Sequence, residues 1–437
     1  LNFTATDYGS ISFTMDGTNW STPFTKIKLN TGISWTLGAG GYAGDDWRLN
    51  CGQDPTFGGL VSSAGPYTLA NGIGKFYYDV SSTDAVALCT QNLPAPVIED
   101  PGKYFKAVIY DGNETSGISK NIGFQPDLLW GKGRTIAYSH VLIDSLRPHT
   151  DANSYYRLHP DTADQQADYN DLFYITSNGF ECKAAQSGVN ENSYKFVMWA
   201  WRAGGAPTAD YASGNDTTAN GCFYKDGSAV TTSNAFSGSY TITPTRASIG
   251  TKQGFSIVKY TSPDPAISSP SVPHGLMKAP EFVIIKQTSR TGPNWVVKHV
   301  GYNSNADNTL RLDTTDSIYA DSYNWGGSQV TPTVVPLGNY SNSDTNKPGE
   351  THIMYCWHSI EGYSMFGSYK SNNSSDGPFV YTGFRPVWIM IKNADSTGSW
   401  IIHDTARNTN NPSTHHLRSN TSGQEDPGTE EYIDILS

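Results

Sequence analysis

The chain has 437 residues and a net charge of −11, and only 16% of its residues are charged. It has no Lys/Arg-rich stripe, which excludes a grip on a phosphate backbone, and no apolar run approaches the roughly 20 residues of a membrane span. Its 43 glycines, 26 tyrosines and 11 tryptophans lie among many Asn, Ser and Thr, a mixture for short strands and turns: aromatics suit pleated surfaces, while Gly, Asn and Ser supply turn geometry.

Residues 1–95 read as a first unit. Ser10 to Trp20 alternates apolar and polar residues and turns at Asp16-Gly17, a strand followed by a turn. Asp46 to Gly59 and Gly74 to Val80 read as later strands of the same sheet system. Leu88 to Phe105 contains Pro94, Pro96 and Pro101 and reads as a linker, since proline is kept out of central strands. The first residues carry no charged segment followed by an apolar one, so no secretory signal is expected there. The five cysteines (Cys51, Cys89, Cys182, Cys222, Cys356) are odd in number and far apart, and are expected as scattered buried thiols.

The remainder is one block of sequence repeated three times. The first copy carries Gly123 to Lys132 (GFQPDLLWGK), His140 to Arg147 (HVLIDSLR) and Lys195 to Arg202 (KFVMWAWR). The second carries Lys278 to Lys286 (KAPEFVIIK), Asn294 to His299 (NWVVKH) and His352 to Gly362 (HIMYCWHSIEG). The third carries Gly383 to Lys392 (GFRPVWIMIK) and Ser399 to Arg407 (SWIIHDTAR). Its last residues, Glu431 to Ser437, match Asp171 to Ser177, so the counterpart of KFVMWAWR is missing. With Leu1 as its first residue, the sequence reads as a piece of a longer protein.

Each copy opens on an aromatic segment (KYFKAVIY, GFSIVKY, MFGSYK) and passes through a polar turn with a proline into an apolar run ending in lysine. Those runs are nearly continuous, so both faces of each strand are expected to be covered. Helical periodicity is scarcely visible, and roughly 100 residues per copy is the size of a β-sandwich. The expected fold is all-β: tandem antiparallel β-sandwiches of jelly-roll type at 96–205, 253–363 and 364–437, the last truncated. Residues 206–252, rich in Gly, Ser and Thr, are expected to be an insertion or linker, either a flexible spacer or an extra hairpin around Cys222 to Gly227.

GFQPDLLWGK, VLIDSLR, GFSIVKY, KAPEFVIIK, SWIIHDTARN and the long stretch Glu361 to Lys392 together resemble a repeated domain of bacteriophage virion proteins, common in phages of cyanobacteria and marine bacteria. The linker LCTQNLPAP resembles that family's lead-in, and residues 1–95 are similar to the C-terminal half of a SPRY-type (concanavalin-like) sandwich. The resemblance covers residues 88–437 and implies a structural or adhesive part of a virion: a tail fibre, tailspike or head-surface fibre. It brings no catalytic residues with it. It implies other virion subunits as partners, a homo-oligomer (trimers being common in fibres) and a place on the virion surface.

Candidate chemistry is sparse. Asp144 and Asp404 follow the second apolar strand, each with an arginine three residues on (Arg147, Arg407), which fits a general base or metal ligand, or a structural pair closing a turn. The second copy has His299 and Tyr302 in their places, so the structural pair is preferred. His403, His415 and His416 are expected to be polar loop histidines, since adjacent histidines in a strand point to opposite faces and make a poor metal site. Gln424 to Glu431 (QEDPGTEE) lacks Ca²⁺-loop ordering and is expected to be a solvated acidic loop. No nucleophile elbow, zinc-protease motif, Walker loop or dinucleotide fingerprint is present. Trp20, Trp35, Tyr42 and Trp47, near turns of the first unit, are candidate ligand-binding aromatics for stacking on a host-surface glycan, with core packing as the competing role. Trp130, Trp199, Trp201, Trp357 and Trp388 lie in apolar strands and are expected in the core.

The expected function is therefore non-enzymatic: a virion surface protein, with no cofactor, metal, nucleic-acid partner or membrane insertion. A glycan-binding or glycan-cleaving tailspike and a purely architectural capsid-decorating protein are the alternatives.

Overall fold

In the computed structural model the alternating stretch near the start becomes β1 (Tyr8–Thr14), antiparallel to β2 (Trp20–Lys28) in a register running from Tyr8↔Lys28 to Thr14↔Trp20. A second short pair joins β3 (Tyr67–Thr68) to β4 (Lys75–Phe76). The structure describes residues 8–14, 20–28, 67–68 and 73–76 of the first 95. It also describes residues 96–436 except 115–116, 149–154, 169–172, 184–187, 215, 265–266, 303, 375 and 429–430. The Asp16-Gly17 turn and the expected strand at 46–59 lie outside the described residues. The chain divides into two compact units, Leu1–Ala95 and Pro96–Ser437, so all three repeats fall in one of them.

The first repeat supplies β5 (Phe105–Asp111), β6 (Ile118–Asn121), β7 (Leu128–Gly133), β8 (Val141–Asp144), β9 (Phe173–Thr176), β10 (Gly179–Cys182) and β11 (Lys195–Trp201). Its main sheet has the order β5-β11-β7-β8, and β6-β10-β9 form a second layer. The 206–252 stretch is ordered sheet, not a spacer. Its strands β12 (Phe223–Lys225) and β13 (Ser228–Val230) form a hairpin, followed by α1 (Thr232–Ala235) and β14 (Arg246–Gly250). The hairpin turns on Asp226 and Gly227, both at positive φ (50° and 89°), the twist a two-residue turn needs.

The second repeat supplies β15 (Phe255–Thr261), β16 (Ser271–Pro273), β17 (Phe282–Gln287), β18 (Val296–His299), β19 (Asn308–Arg311), β20 (Tyr319–Ala320), α2 (Ser322–Trp325), β21 (Val334–Pro336) and β22 (Thr351–Trp357). Its sheet runs β13-β12-β14-β15-β22-β17-β18-β19-β20. Opening strand, last strand, lysine-ended strand and next strand thus follow the order of the first repeat. The third repeat supplies only β23 (Trp388–Lys392), β24 (Trp400–Asp404) and β25 (Leu417–Arg418), in that sheet order.

Period-two alternation decides where each sheet looks. Leu128, Trp130, Val197, Trp199 and Trp201 face one core, while Leu129, Phe196, Met198 and Ala200 face the outer layer of the first repeat. In the second repeat Phe282, Ile284, Ile353 and Tyr355 face that same first core, while Val283, Ile285, Met354 and Cys356 face an outer layer around Trp325 and Val335. Trp400, Ile402 and Leu417 of the third repeat complete the shared core, with Trp388 and Met390 packed against it. The three repeats therefore do not keep separate cores: one face of each main sheet is buried against the other two repeats. The all-β class stands, and the nearly continuous apolar runs have both faces covered in β7 and β17.

Candidate functional site

The three lysines that close the apolar runs are drawn toward the seams between repeats. Lys132 Nζ donates to the carbonyl of Gly133 (2.9 Å) and to that of Ser422 in the third repeat (3.2 Å). Lys286 Nζ donates to Pro293 (2.6 Å) and to Ala163 in the first repeat (3.2 Å). Lys392 Nζ donates to Asn393 (2.7 Å) and to Thr315 in the second repeat (3.3 Å). Burial pushes Lys132 and Lys286 down to about 8, and Lys392 is lowered for the same reason. Each ammonium is a staple, and the staples run first to third, second to first and third to second.

A second set of bonds repeats that order. Strand registers make His140, Trp295 and Trp400 equivalent, each just before or at the start of the second apolar strand. Trp295 Nε1 donates to the carbonyls of His159 (3.0 Å) and Thr162 (3.1 Å) of the first repeat, and Trp400 Nε1 to Arg311 of the second (2.8 Å). His140 Nδ1 accepts from Trp130 Nε1 (2.9 Å), so the Nε2 proton points to the Arg418 carbonyl of the third repeat at 2.9 Å. Burial holds His140 well below its ordinary value, which keeps it neutral in that tautomer.

A third set reaches the acidic positions. Leu128↔Asp144, Phe282↔His299 and Trp388↔Asp404 are matching register pairs, so Asp144, His299 and Asp404 occupy one site in three copies. Trp199 Nε1 of the first repeat donates to Asp404 Oδ2 (3.0 Å), and Tyr355 of the second donates to Asp144 Oδ2 (2.7 Å). Among the described residues no side chain of the third repeat bonds to His299. Asp144 also accepts from Leu146 N (3.0 Å) and Arg147 Nε (2.8 Å), and Asp404 from Ala406 N (3.1 Å), Arg407 N (2.9 Å) and Arg407 Nε (2.6 Å). Burial opposes the charge on Arg147, yet Asp144 and Tyr355 outweigh it and raise its value. A buried carboxylate with its lone pairs so occupied is an anchor and not a base, which matches the preferred turn-closing role.

Other candidates are placed differently. His403 and His416 are buried, not in polar loops, with ring centroids 5.9 Å apart; Ser413 Oγ lies 3.1 Å from His403 Nδ1, and Glu431 2.8 Å from His416 Nε2. Burial pushes His403 down to about 4, so the cluster is neutral at physiological pH. His415 is only half-buried, as adjacent strand residues of opposite direction should be. Among the described residues no group of three His, Cys, Asp or Glu is arranged to hold a metal. The acidic stretch is not simply solvated, because Glu425 is nearly buried and takes Arg134 of the first repeat in two bonds (2.7 and 2.9 Å). Cys182, Cys222 and Cys356 are buried free thiols; Cys51 and Cys89 lie outside the described residues.

Trp20 opens β2 opposite Thr14, while Trp35, Tyr42 and Trp47 lie outside the described residues. Trp130, Trp199 and Trp201 are buried, whereas Trp357 and Trp388 are half-buried at the margin of the core. The sequence pattern marks the terminal lysines without indicating a role for them, gives none to Trp295 and Trp400, and hides Glu425 in the acidic stretch. A tryptophan at the same register position in two of the three copies was the available signal for Trp295 and Trp400.

The arrangement belongs to a stretch with known relatives. The sequence matches the family described as Domain of unknown function (DUF7483) over residues 100–221 and 210–437. The chain belongs to that family. The first DUF7483 match spans the first repeat, and the second spans the other two. No curated protein and no solved structure matches the chain.

Proposed function

We propose that this chain is a non-catalytic part of a bacteriophage virion surface protein, a tail fibre, tailspike or head fibre, in which interlocked repeats supply stiffness and exposed side chains supply contact. The resemblance of its repeats to virion proteins supports the setting, with other virion subunits as partners in a homo-oligomer. The observation that carries the mechanical half is the closed ring of lysine staples, each reaching the next repeat. Separating a repeat from its neighbours exchanges these bonds for bonds to water and gives up roughly 1.5–3 kcal/mol for each, the net worth of a hydrogen bond from a charged group, with Lys132 and Lys286 leaving buried seats and Lys392 a half-buried one. The buried carboxylates and most of the buried histidines that might serve catalysis are held by structural partners, which favours a passive role. Contact surfaces are present in the form of exposed rings: Tyr323 and Tyr340, with centroids 4.3 Å apart and planes tilted by 46°, offer aromatic faces of the kind that meet a sugar.

Mass spectrometry of purified virions, paired with binding of labelled protein to host cells in the presence of free host polysaccharide, tests the proposal. The expected result is a virion-resident protein whose cell binding is saturable and competed. Absence from virions, or hydrolysis of host glycan with turnover, would overturn it.

A further inference from the structure

Where the first repeat has β9 ahead of β10, chain order puts α2 ahead of β21 in the second. α2 is a single turn of four residues, and at about 100° per residue positions two apart lie on opposite sides of it. Trp325 therefore points inward, wholly buried, and donates through Nε1 to Thr309 Oγ1 (2.7 Å), while Tyr323 points outward and is 54% exposed. Tyr340, on the loop that follows β21, is 45% exposed. The two rings meet at 4.3 Å between centroids with a tilt of 46°.

The two segments that carry the rings are fastened to each other through Asn324, which is buried. Its Oδ1 accepts from Asp344 N (2.8 Å), and its carbonyl accepts from Gly338 N (2.9 Å) and Thr345 Oγ1 (2.7 Å). Its Nδ2 donates to Asp321 Oδ2 (2.8 Å), and Asp321 Oδ1 accepts from Tyr323 N (3.1 Å). The carbonyl of Tyr340 accepts from Ser343 N (3.0 Å). At Gly338 a Cβ would lie 1.8 Å from the Tyr323 carbonyl oxygen, so glycine is what lets the loop approach the helix this closely. The backbone under both rings is thus fixed before a ligand arrives, which lowers the ordering cost of binding one.

We propose that Tyr323 and Tyr340 form a subsite for a neutral hexopyranose, whose C–H face packs on the ring pair while its hydroxyls bond to the rim. The proposal rests on the reading of this chain as a surface contact protein and gives that contact a ligand. Ser322, Asn339, Ser341 and Asn342 are exposed beside the rings and supply hydroxyl and amide groups that donate and accept. A protein partner needs about 800 Å² on each side with an apolar centre, whereas the large apolar side chains exposed in segments 321–329 and 338–346 are these two rings. Charge selects among sugars. Neither segment contains Lys or Arg, both contain an aspartate (Asp321, Asp344), and Lys347 Nζ donates to the Ser341 carbonyl (3.1 Å). A carboxylated or sulfated sugar meets carboxylates there, on a chain of net charge −11, and is repelled.

The test uses the whole chain, with methyl β-galactoside and methyl β-glucoside as neutral probes and galacturonic acid as the charged one, in saturation-transfer NMR at pH 7. Expected is saturable binding of a neutral probe, with the strongest transfer to the C–H protons of one sugar face. Tyr323→Ala and Tyr340→Ala, both at exposed positions, should each weaken it about tenfold with the thermal midpoint unchanged, and Tyr323→Trp should retain it. The proposal is overturned if neither neutral sugar binds saturably, if the double alanine variant binds as well as the wild type, or if galacturonic acid binds more tightly. The double variant also separates the subsite from the reading beneath it. A protein resident in virions that binds host cells equally well with and without the two tyrosines keeps that reading and overturns the subsite. Tyrosine-dependent sugar binding by a protein absent from virions overturns the reading and leaves the subsite standing.

Discussion

Replacing Lys286 by methionine isolates the energetics of a staple. The side chain is wholly buried, and its ordinary value of 10.5 falls to about 8, chiefly through burial. At about 1.4 kcal/mol per pH unit this amounts to a penalty of about 3 kcal/mol at neutral pH. Methionine fills a similar volume and removes the penalty, but it leaves Pro293 without its donor, while Ala163 keeps Gly292 N at 2.9 Å. Losing the two charge-assisted bonds costs a similar few kcal/mol, so Lys286→Met should lie within about 2 kcal/mol of the wild type at pH 7. The pH dependence is the sharper readout. Between about pH 8 and 10.5 the unfolded chain holds a proton on Lys286 that the folded chain has released, so wild-type stability rises with pH relative to the variant. Urea unfolding followed by tryptophan fluorescence should show the difference growing by about 2–3 kcal/mol from pH 7 to pH 10 in favour of lysine. A difference that stays flat over that range would refute the buried ammonium and the staple with it.

Other seams give distinct signatures. Tyr355→Phe removes the donor to Asp144 and should cost about 1–3 kcal/mol in urea unfolding, with a coupling to Asp144→Asn in a double-mutant cycle that a purely packing role would not produce. Trp199→Ala should cost about 3–5 kcal/mol, since it empties a wholly buried site and also strips Asp404 of a donor; a shift in the thermal midpoint of only a degree or two would contradict that. Burial raises the Glu425 carboxyl, but bonds from Arg134 and the charge of Arg407 overcome this and leave it below its ordinary range. The stabilisation it supplies is therefore present above the ordinary carboxylate range and lost as pH falls through the folded value. Glu425→Gln should be less stable than wild type at pH 7, and the difference in urea unfolding should shrink as the pH is taken below the ordinary carboxylate range.

The parts that could be read from sequence are those written in local pattern. The near-continuous apolar runs at 128–130 and 282–285 announced strands with two covered faces, as did that at 387–391, whose strand is only half-buried, and their place inside apolar strands put Trp130 and Trp199 in the interior. Asp144 with Arg147 was legible as a turn pair because three residues separate them. The partners across the seams were not legible, since each staple ends on a backbone carbonyl that has no side-chain signature, as at Ser422, Ala163 and Thr315. Glu425 looked like part of a solvated loop because Arg134 lies 291 residues away. Composition left the 206–252 stretch open between a flexible spacer and an extra hairpin around Cys222 to Gly227; the hairpin is what forms, its Gly, Ser and Thr residues serving the turns between short strands that continue the second sheet.

The disagreement among the copies at the Asp144 position follows from the same ring. A carboxylate buried at a seam needs a donor from the neighbouring repeat, because a buried charge left unpaired costs several kcal/mol. Asp144 has Tyr355, and Asp404 has Trp199. The donor for the second copy would have to come from the middle strand of the third repeat, and the seat there holds His299. A neutral imidazole tolerates a seat without a donor from outside, since Gly301 N already satisfies its Nδ1. His299→Asp should therefore be destabilising by several kcal/mol in this chain, although it restores the residue found in the other two copies.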